Sequence, residues 1–422
     1  MRIAFVSQYY APEPSRVPTS IARGLARRGH SVNVVTGFPN YPHGEIYPGY
    51  RQSLRHIESD GASIKVRRVP LVASHSGSGL MRAANYLSFM FSALLATRFT
   101  RGAAITYVYA SQPTGALAAL FWKLSRGTPY VMHVQDLWPD SITASNMVPD
   151  RVSSLIARAV GSMLRPLYAH ASAVIAISPQ MRSALIDRGA DADRVHVIYN
   201  WSADETLHTG TPPSSAGCTV TYAGNMGSAQ GLETAIHAAR AVTPDLPGFR
   251  LLFVGTGTRV DALRRLAADL PSVEFRDRVP ADQMPSIYAE TSYQLVSLKN
   301  SAMLNGAVPS KLQASLAAGL PVICATPGDA PAIVDRARAG LVAPPGDVDA
   351  LAAAFREAYH CPPNRYAEYA QCARAFYEQS LSESIGMTQL EALLVKGADG
   401  ASTRRGADHD LHHDDEAEGR HT

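Results

Sequence analysis

The chain has 422 residues, 46% hydrophobic and 18% charged, and its 39 basic and 36 acidic residues give a formal charge of +3. This much apolar material excludes disorder over most of the length. So even a charge balance excludes a dedicated nucleic-acid binder, which carries a concentrated basic footprint. Length allows two or three domains. Cys218, Cys324, Cys361 and Cys372 show no zinc-ligand spacing, which predicts a reducing compartment rather than a disulfide framework. Lysine is rare: Lys65, Lys123, Lys299, Lys311 and Lys396 stand among many arginines.

In chain order, Arg2–Ser7 reads as a strand, Thr19–Arg28 as a helix closed by Gly29, and Ser31–Thr36 as a second strand. The first residues lack a signal-peptide pattern. Gly37–Asp60, rich in Pro, Gly and Tyr, reads as one long loop, functional or mobile. Ile64–Val69 is a third strand. Ala83–Thr97 is uncharged, with Arg82 before it and Arg98 and Arg101 after it. It is shorter than the ~20 residues of a spanning helix. Two readings stand: a buried packing helix, or an interfacial helix whose arginines meet anionic headgroups. Strands follow at Ala104–Tyr109 and Tyr130–Val134, with a helix at Thr114–Ser125 between them. Arg151–Tyr168 is helical, and Ala173–Ile177 and Val195–Tyr199 are further strands.

Residues 204–217 are rich in Thr, Pro, Ser and Gly and read as a linker. The strand–helix rhythm restarts at Thr219–Ala223 and continues through Arg250–Val254, Val273–Phe275, Tyr293–Ser297 and Pro321–Cys324. This alternation predicts two α/β, doubly wound, Rossmann-like domains, 1–203 and 218–360, with the ligand site at the carboxyl ends of the strands, in the cleft between them. Residues 361–396 predict helices that either stay with the second domain or cross back to the first. Residues 397–422 contain almost no large apolar side chain and predict a disordered tail.

Three segments carry phosphate-binding chemistry. In Val308–Ile323, Pro309-Ser310 has the chemistry of a helix start, where free amides attract an anion. Lys311 in the first turn is disfavoured by the helix dipole unless an anion offsets it. In Tyr222–Leu232, a strand enters a turn holding Gly224, Gly227 and Gly231, which lets backbone amides approach phosphate oxygens. Gly255-Thr256-Gly257 resembles part of a dinucleotide fingerprint, but Val260 occupies the third glycine position. Asp191-Ala192-Asp193 and Asp347-Val348-Asp349 match the short D-x-D pattern by chance, and no metal site is expected. His133, at a strand end and followed by Asp136 and Asp140, is a candidate functional histidine. Trp138 offers a flat apolar surface for a sugar ring or lipid.

Together these features resemble glycosyltransferase family 4, with the two-domain GT-B architecture. The resemblance rests on Gly29-His30-Ser31-Val32, His133, Tyr222–Gly227, Val254–Gly257 and Pro309–Val322, and it covers about residues 1–390. Gln135–Ser141 and Ala229–Glu233 are similar to bacterial transferases of surface-polysaccharide assembly, the N-acetyl-L-fucosamine and colanic-acid types. The resemblance implies donor binding by Gly224, Asn225, Gly227, Gln230, Gly231, Gly255, Gly257, Val279, Lys299, Asn305, Gly306, Ser310 and Lys311. It implies a catalytic role for His133, on the donor sugar hydroxyls; Asp136, the second catalytic candidate, either holds an acceptor hydroxyl or orients His133. It places the acceptor near Glu13, Arg16, Tyr41, His43 and Trp138. Two departures stand out. Asn225 and Gln230 replace the family's diphosphate-holding Arg and Lys, and Gly306 and Ala314 replace its paired glutamates.

The expected activity is retaining transfer of a sugar from a nucleotide-diphospho sugar, UDP-linked, to a saccharide or polyprenyl-diphosphate-linked saccharide. No cofactor or metal is expected, nor any nucleic acid. The expected location is cytoplasmic, at the inner membrane face through residues 80–101. Rival readings are a nucleotide-sugar epimerase and a non-catalytic nucleotide-sugar-binding protein; a NAD-dependent dehydrogenase fits least.

Overall fold

The computed structural model describes residues 1–74, 79–138, 150–208, 210–214, 217–301, 304 and 306–418. The chain divides into two units, Met1–Ile198 with Met387–Thr422, and Tyr199–Gly386.

The first unit is built on eight strands: β1 (Arg2–Ser7), β2 (Ser31–Gly37), β3 (His56–Ser59), β4 (Ile64–Val69), β5 (Ile105–Ala110), β6 (Tyr130–Val134), β7 (Ala173–Ala176) and β8 (Val195–Val197). Their order is β3-β4-β2-β1-β5-β6-β7-β8. Every pairing is parallel except β3 with β4. Ile3, Ala4, Phe5 and Val6 of β1 are all buried, as expected for a strand covered by helices on both faces. The loop expected over residues 37–60 therefore ends in a strand. His56–Ser59 alternates half-buried and exposed residues on the sheet edge, and so short a segment has too little periodicity to stand out in the sequence.

The second unit has six parallel strands: β9 (Cys218–Ala223), β10 (Phe249–Val254), β11 (Val273–Arg276), β12 (Tyr293–Ser297), β13 (Val322–Ala325) and β14 (Gly340–Val342). Their order is β11-β10-β9-β12-β13-β14. In both sheets the winding direction reverses once, between β1 and β5 and between β9 and β12. Such switch points open a crevice at the carboxyl ends of the strands.

The described residues of the segment expected as a linker are tied to the second unit. His208 N–H donates to Ala318 O, Thr211 N–H to Thr291 O, and the Glu205 carboxylate accepts from Tyr377 Oη. The last helix, Glu383–Glu418, returns to the first unit from Met387 onward. Its Glu391 accepts from Arg28 Nη1 at 2.7 Å and faces His30 Nε2 at 2.7 Å. Composition predicts disorder from residue 397, yet the backbone stays helical to Glu418. A helix already nucleated gains one hydrogen bond per added residue.

The uncharged segment expected as helix 83–97 is the helix Gly79–Leu94 followed by a 3-10 turn, Leu95–Arg98. Among the described residues no helix is long and apolar enough to cross a membrane.

Candidate functional site

In the first unit, the β1/β5 switch point is walled by a chain of buried amides. Gln112 Nε2 donates to Gln8 Oε1, Gln8 Nε2 donates to Asn85 Oδ1 at 2.5 Å, and Asn85 Nδ2 donates to Val72 O at 2.7 Å. Gln8, Asn85 and Gln112 are each under 5% exposed. The network fixes helix Gly79–Leu94 to the ends of two strands, and buried polar groups that satisfy one another specify a single arrangement. Beside it, Trp138 Nε1 donates to Ser111 O at 3.3 Å, and Tyr86 meets the Trp138 ring at 5.6 Å.

His133 is the last residue but one of β6, an interior strand of the sheet, and is buried. Tyr107 Oη lies 2.6 Å from its Nδ1, and the rings of Tyr107 and Tyr109 flank it edge-on. Its Nε2 has no hydrogen-bond partner among the described residues. Burial holds the imidazole down at about 3, so it is neutral at physiological pH. Asp136 is exposed by surface area, yet the protein packed around its carboxyl raises its pKa. Tyr86 and Tyr109 lie close enough that Asp136 raises both phenols further.

The expected acceptor residues divide. Glu13 is a correction: it is 5% exposed, and its carboxylate accepts backbone N–H groups from Tyr10, Asn40 and Tyr41 at 3.1, 2.8 and 2.9 Å. It fastens the loop after β2 and is not an open ligand. Tyr41 is half-buried, and its ring meets Tyr9 at 5.3 Å. Arg16, at the start of helix Arg16–Arg27, and His43 are both exposed. Asp140 lies outside the described residues. Gln8, Tyr9, Asn85, Tyr86, Tyr109 and Gln112 were missed by sequence reasoning. Asn85 alone left a signal, as an amide inside an apolar helix.

In the second unit, the loops after β9 and β10 interlock. A Cβ on Gly255 would meet Gly224 O at 2.0 Å, and one on Gly257 would meet Met226 O at 2.4 Å. Both glycines have positive φ, 142° and 158°, so no other residue fits. Met226 N–H donates to Thr256 O at 2.8 Å, and Gln230 Oε1 accepts from Gly227 N–H at 2.9 Å. Gln230 thus shapes its own loop. Ser297 Oγ, at the end of β12, donates to Gln230 O at 2.7 Å, and Lys299 N–H donates to Ala229 O at 2.8 Å.

Helix Ser310–Ala318 starts at this same edge. Pro309 takes the cap position, with no side-chain cap bond, and Ser310 is the first helical residue. The helix start expected at Pro309-Ser310 is in place, and no side chain caps its first turn. Lys311 reaches across to the glycine loop. Its Nζ sits 4.9 Å from the Tyr222 ring centre, and a Cβ on Gly224 would meet its Cε at 2.4 Å. It has no carboxylate partner among the described residues, and burial lowers its pKa. Such a cation, desolvated and unpaired, favours an incoming anion. The exposed Lys299 lies along Gly231, where a Cβ would meet its Cγ at 3.0 Å.

Asn225 gives its backbone carbonyl to Tyr222 Oη at 2.6 Å. Val279 is half-buried and packs against the cluster of Leu252, Val254 and Ile287. Gly306 is buried, Ala314 half-buried, and Asn305 lies outside the described residues. The D-x-D segments have local tasks: Asp191 accepts from Asp193 N–H, and Asp347 caps helix Val348–Tyr359 through Ala350 N–H.

Two family models match. Residues 14–201 fit a glycosyl transferase 4-like domain, and residues 217–361 fit glycosyl transferases group 1. The chain belongs to glycosyltransferase family 4. The glycosyltransferase is 27% identical over 338 residues to the putative colanic acid biosynthesis glycosyl transferase WcaI of Escherichia coli K12, covering 76% of this chain and 82% of that one. Its fold resembles sucrose-phosphate synthase from Thermosynechococcus elongatus, with TM-score 0.66 and 15% identity, covering 94% and 98% of the two chains. It also resembles Anabaena HepE in complex with UDP and glucose, with TM-score 0.62 and 18% identity, covering 93% and 99%. The two units are the two Rossmann-like domains of a GT-B fold.

Proposed function

We propose that this glycosyltransferase moves a sugar, with retention at the anomeric carbon, from a UDP-sugar to a saccharide or polyprenyl-diphosphate-linked saccharide in polysaccharide assembly. The observation that carries the reading is Lys311, an unpaired and desolvated cation laid against Gly224 at the head of an uncapped helix. The relative named for colanic acid biosynthesis and the fold neighbour bound to UDP and glucose support the same substrate class.

In this reading the donor diphosphate lies over Gly224–Gly231, held by backbone amides, the first turn at Ser310 and the Lys311 ammonium. Lys299 adds a second positive charge from the rim. These groups replace the charge that Asn225 and Gln230 do not supply. They stabilise the diphosphate as it leaves, when its negative charge is greatest. The leaving phosphate itself takes the acceptor proton, so no strong protein base and no metal is required. His133, neutral, gives its free Nε2 to a donor sugar hydroxyl. Asp136, among Tyr86, Tyr109 and Trp138, holds the acceptor.

Lys311→Ala tests the reading. Removing a charge-assisted contact worth ~1.5–3 kcal/mol should weaken UDP-sugar binding about tenfold or more by calorimetry. Unchanged affinity and turnover would remove Lys311 from the donor site.

A further inference from the structure

Two neighbouring helices of the first unit turn an apolar face to solvent. On Gly79–Leu94 and its 3-10 extension, Leu80, Leu87, Phe91 and Leu95 are 80%, 45%, 61% and 58% exposed. Their spacing of seven, four and four puts them on one stripe. The opposite side holds buried Asn85, Phe89 and Ala93. Helix Thr114–Arg126 lies alongside and exposes Phe121 and Leu124 at 47% and 67%. The pair runs the same way: Gly115 lies against the Phe89 ring, and further on Trp122 Nε1 donates to Thr97 Oγ1 at 3.1 Å.

The stretch of chain that carries this face has charge of a single sign. Residues 61–135 contain no Asp or Glu and eight Lys or Arg, in a chain whose total charge is only +3. Five of the eight fall on 79–126: Arg98 and Arg101 are exposed, and Arg82, Lys123 and Arg126 are half-buried. A protein partner is selected by charges of both signs that fix its register. A second copy would set positive against positive. Basic side chains beside exposed Leu and Phe, on helices that carry no acidic residue, instead match a surface that is negative, fluid and without register.

We propose that this two-helix face docks on an anionic lipid bilayer, with the six exposed Leu and Phe side chains entering the headgroup–acyl boundary. The helix Gly79–Leu94 is then shared. Its outer stripe meets lipid, while Asn85 and Tyr86 form part of the wall beside Trp138. Delivery of a lipid-borne acceptor to that wall rests on the function proposed above; the docking itself does not.

Co-sedimentation of the full chain with vesicles tests it. The expected result is binding to phosphatidylcholine vesicles containing phosphatidylglycerol, little binding to phosphatidylcholine alone, and release at high salt. Phe91→Ser with Leu124→Ser should lower the vesicle affinity about tenfold or more, as loss of buried apolar area requires. UDP-sugar binding and the melting temperature should be unchanged. Arg98→Glu with Arg101→Glu should abolish the preference for anionic lipid. Absence of vesicle binding, equal binding to neutral vesicles, or a concentration-dependent dimer that the Phe91 and Leu124 substitutions dissolve would overturn the proposal. None of these readouts needs turnover, so failure of the donor-site reading leaves them intact.

Discussion

His133 offers a direct measurement of what burial does to a candidate catalytic group. Its imidazole is enclosed by Tyr107 and Tyr109 in the middle of the first sheet, and burial holds it down at about 3, from an ordinary 6.5. The folded chain therefore keeps His133 neutral in a range where the unfolded chain protonates it. The unfolded state binds more protons there, so stability falls with acid, by about 1.4 kcal/mol per pH unit below 6.5. Between pH 7 and pH 4.5 this one group should remove about 2 to 3 kcal/mol. The loss continues down to about 3, where the folded chain also takes the proton. Urea unfolding of wild type and His133→Gln at the two pH values isolates the contribution, because every other titrating group is common to both. Gln keeps a polar side chain and cannot take the proton. The variant should lose less stability than wild type on acidification, by that amount. Equal losses would show that His133 is accessible to protons in the folded state, and its assignment as a neutral hydrogen-bonding group would fall. The same reasoning gives a functional corollary: the pH–rate profile should show no limb near 6.5 that His133→Gln removes.

Three further predictions test other links. Burial lowers the Lys311 pKa, a penalty fully present below that lowered value and fading as pH rises toward the ordinary 10.5. A bound diphosphate restores the charged form, so UDP-sugar binding should take up as much as one proton in that window. Calorimetry in two buffers of different ionisation enthalpy reads this, and no uptake would mean that the diphosphate does not meet the amine. Gly255→Ala places a methyl group 2.0 Å from Gly224 O at φ 142°. It should cost about 3 kcal/mol or more and weaken donor binding; wild-type melting and affinity would show that the two loops do not interlock. Asn85→Ala strands Gln8 Nε2 and Val72 O. It should cost about 1–3 kcal/mol in urea unfolding while vesicle binding persists, and a neutral effect would mean that the amide chain holds nothing.

The architecture was legible because it is written in local pattern. Buried runs such as Ile3–Val6 and Val220–Tyr222, each followed by a helix-length segment, announce parallel strands with helices on both faces. Gly224, Gly255 and Gly257 and the Pro309-Ser310-Lys311 start also announced themselves, because a backbone conformation or a helix end restricts which residues can stand there. Short or low-contrast elements did not: β3 hides in the 37–60 loop, and the last helix runs through a stretch whose composition reads as disorder.

What the sequence by itself determined is therefore the order of elements, the two-domain division and the positions of the glycine-rich loops and of the Pro309-Ser310 helix start. Each of these follows from interactions between residues a few places apart. The tertiary structure decided which groups those elements bring together. Lys311 lies on Gly224, 87 positions earlier; Asn85 bonds Gln8 across 77 positions; Phe121 and Leu124 extend the apolar stripe of another helix. It also turned Glu13 inward to serve three backbone amides. The reason is physical. Periodicity shows which face of an element is apolar, but whether a polar or apolar side chain ends up paired, buried or exposed depends on what packs against it. Only the closed chain supplies that neighbour.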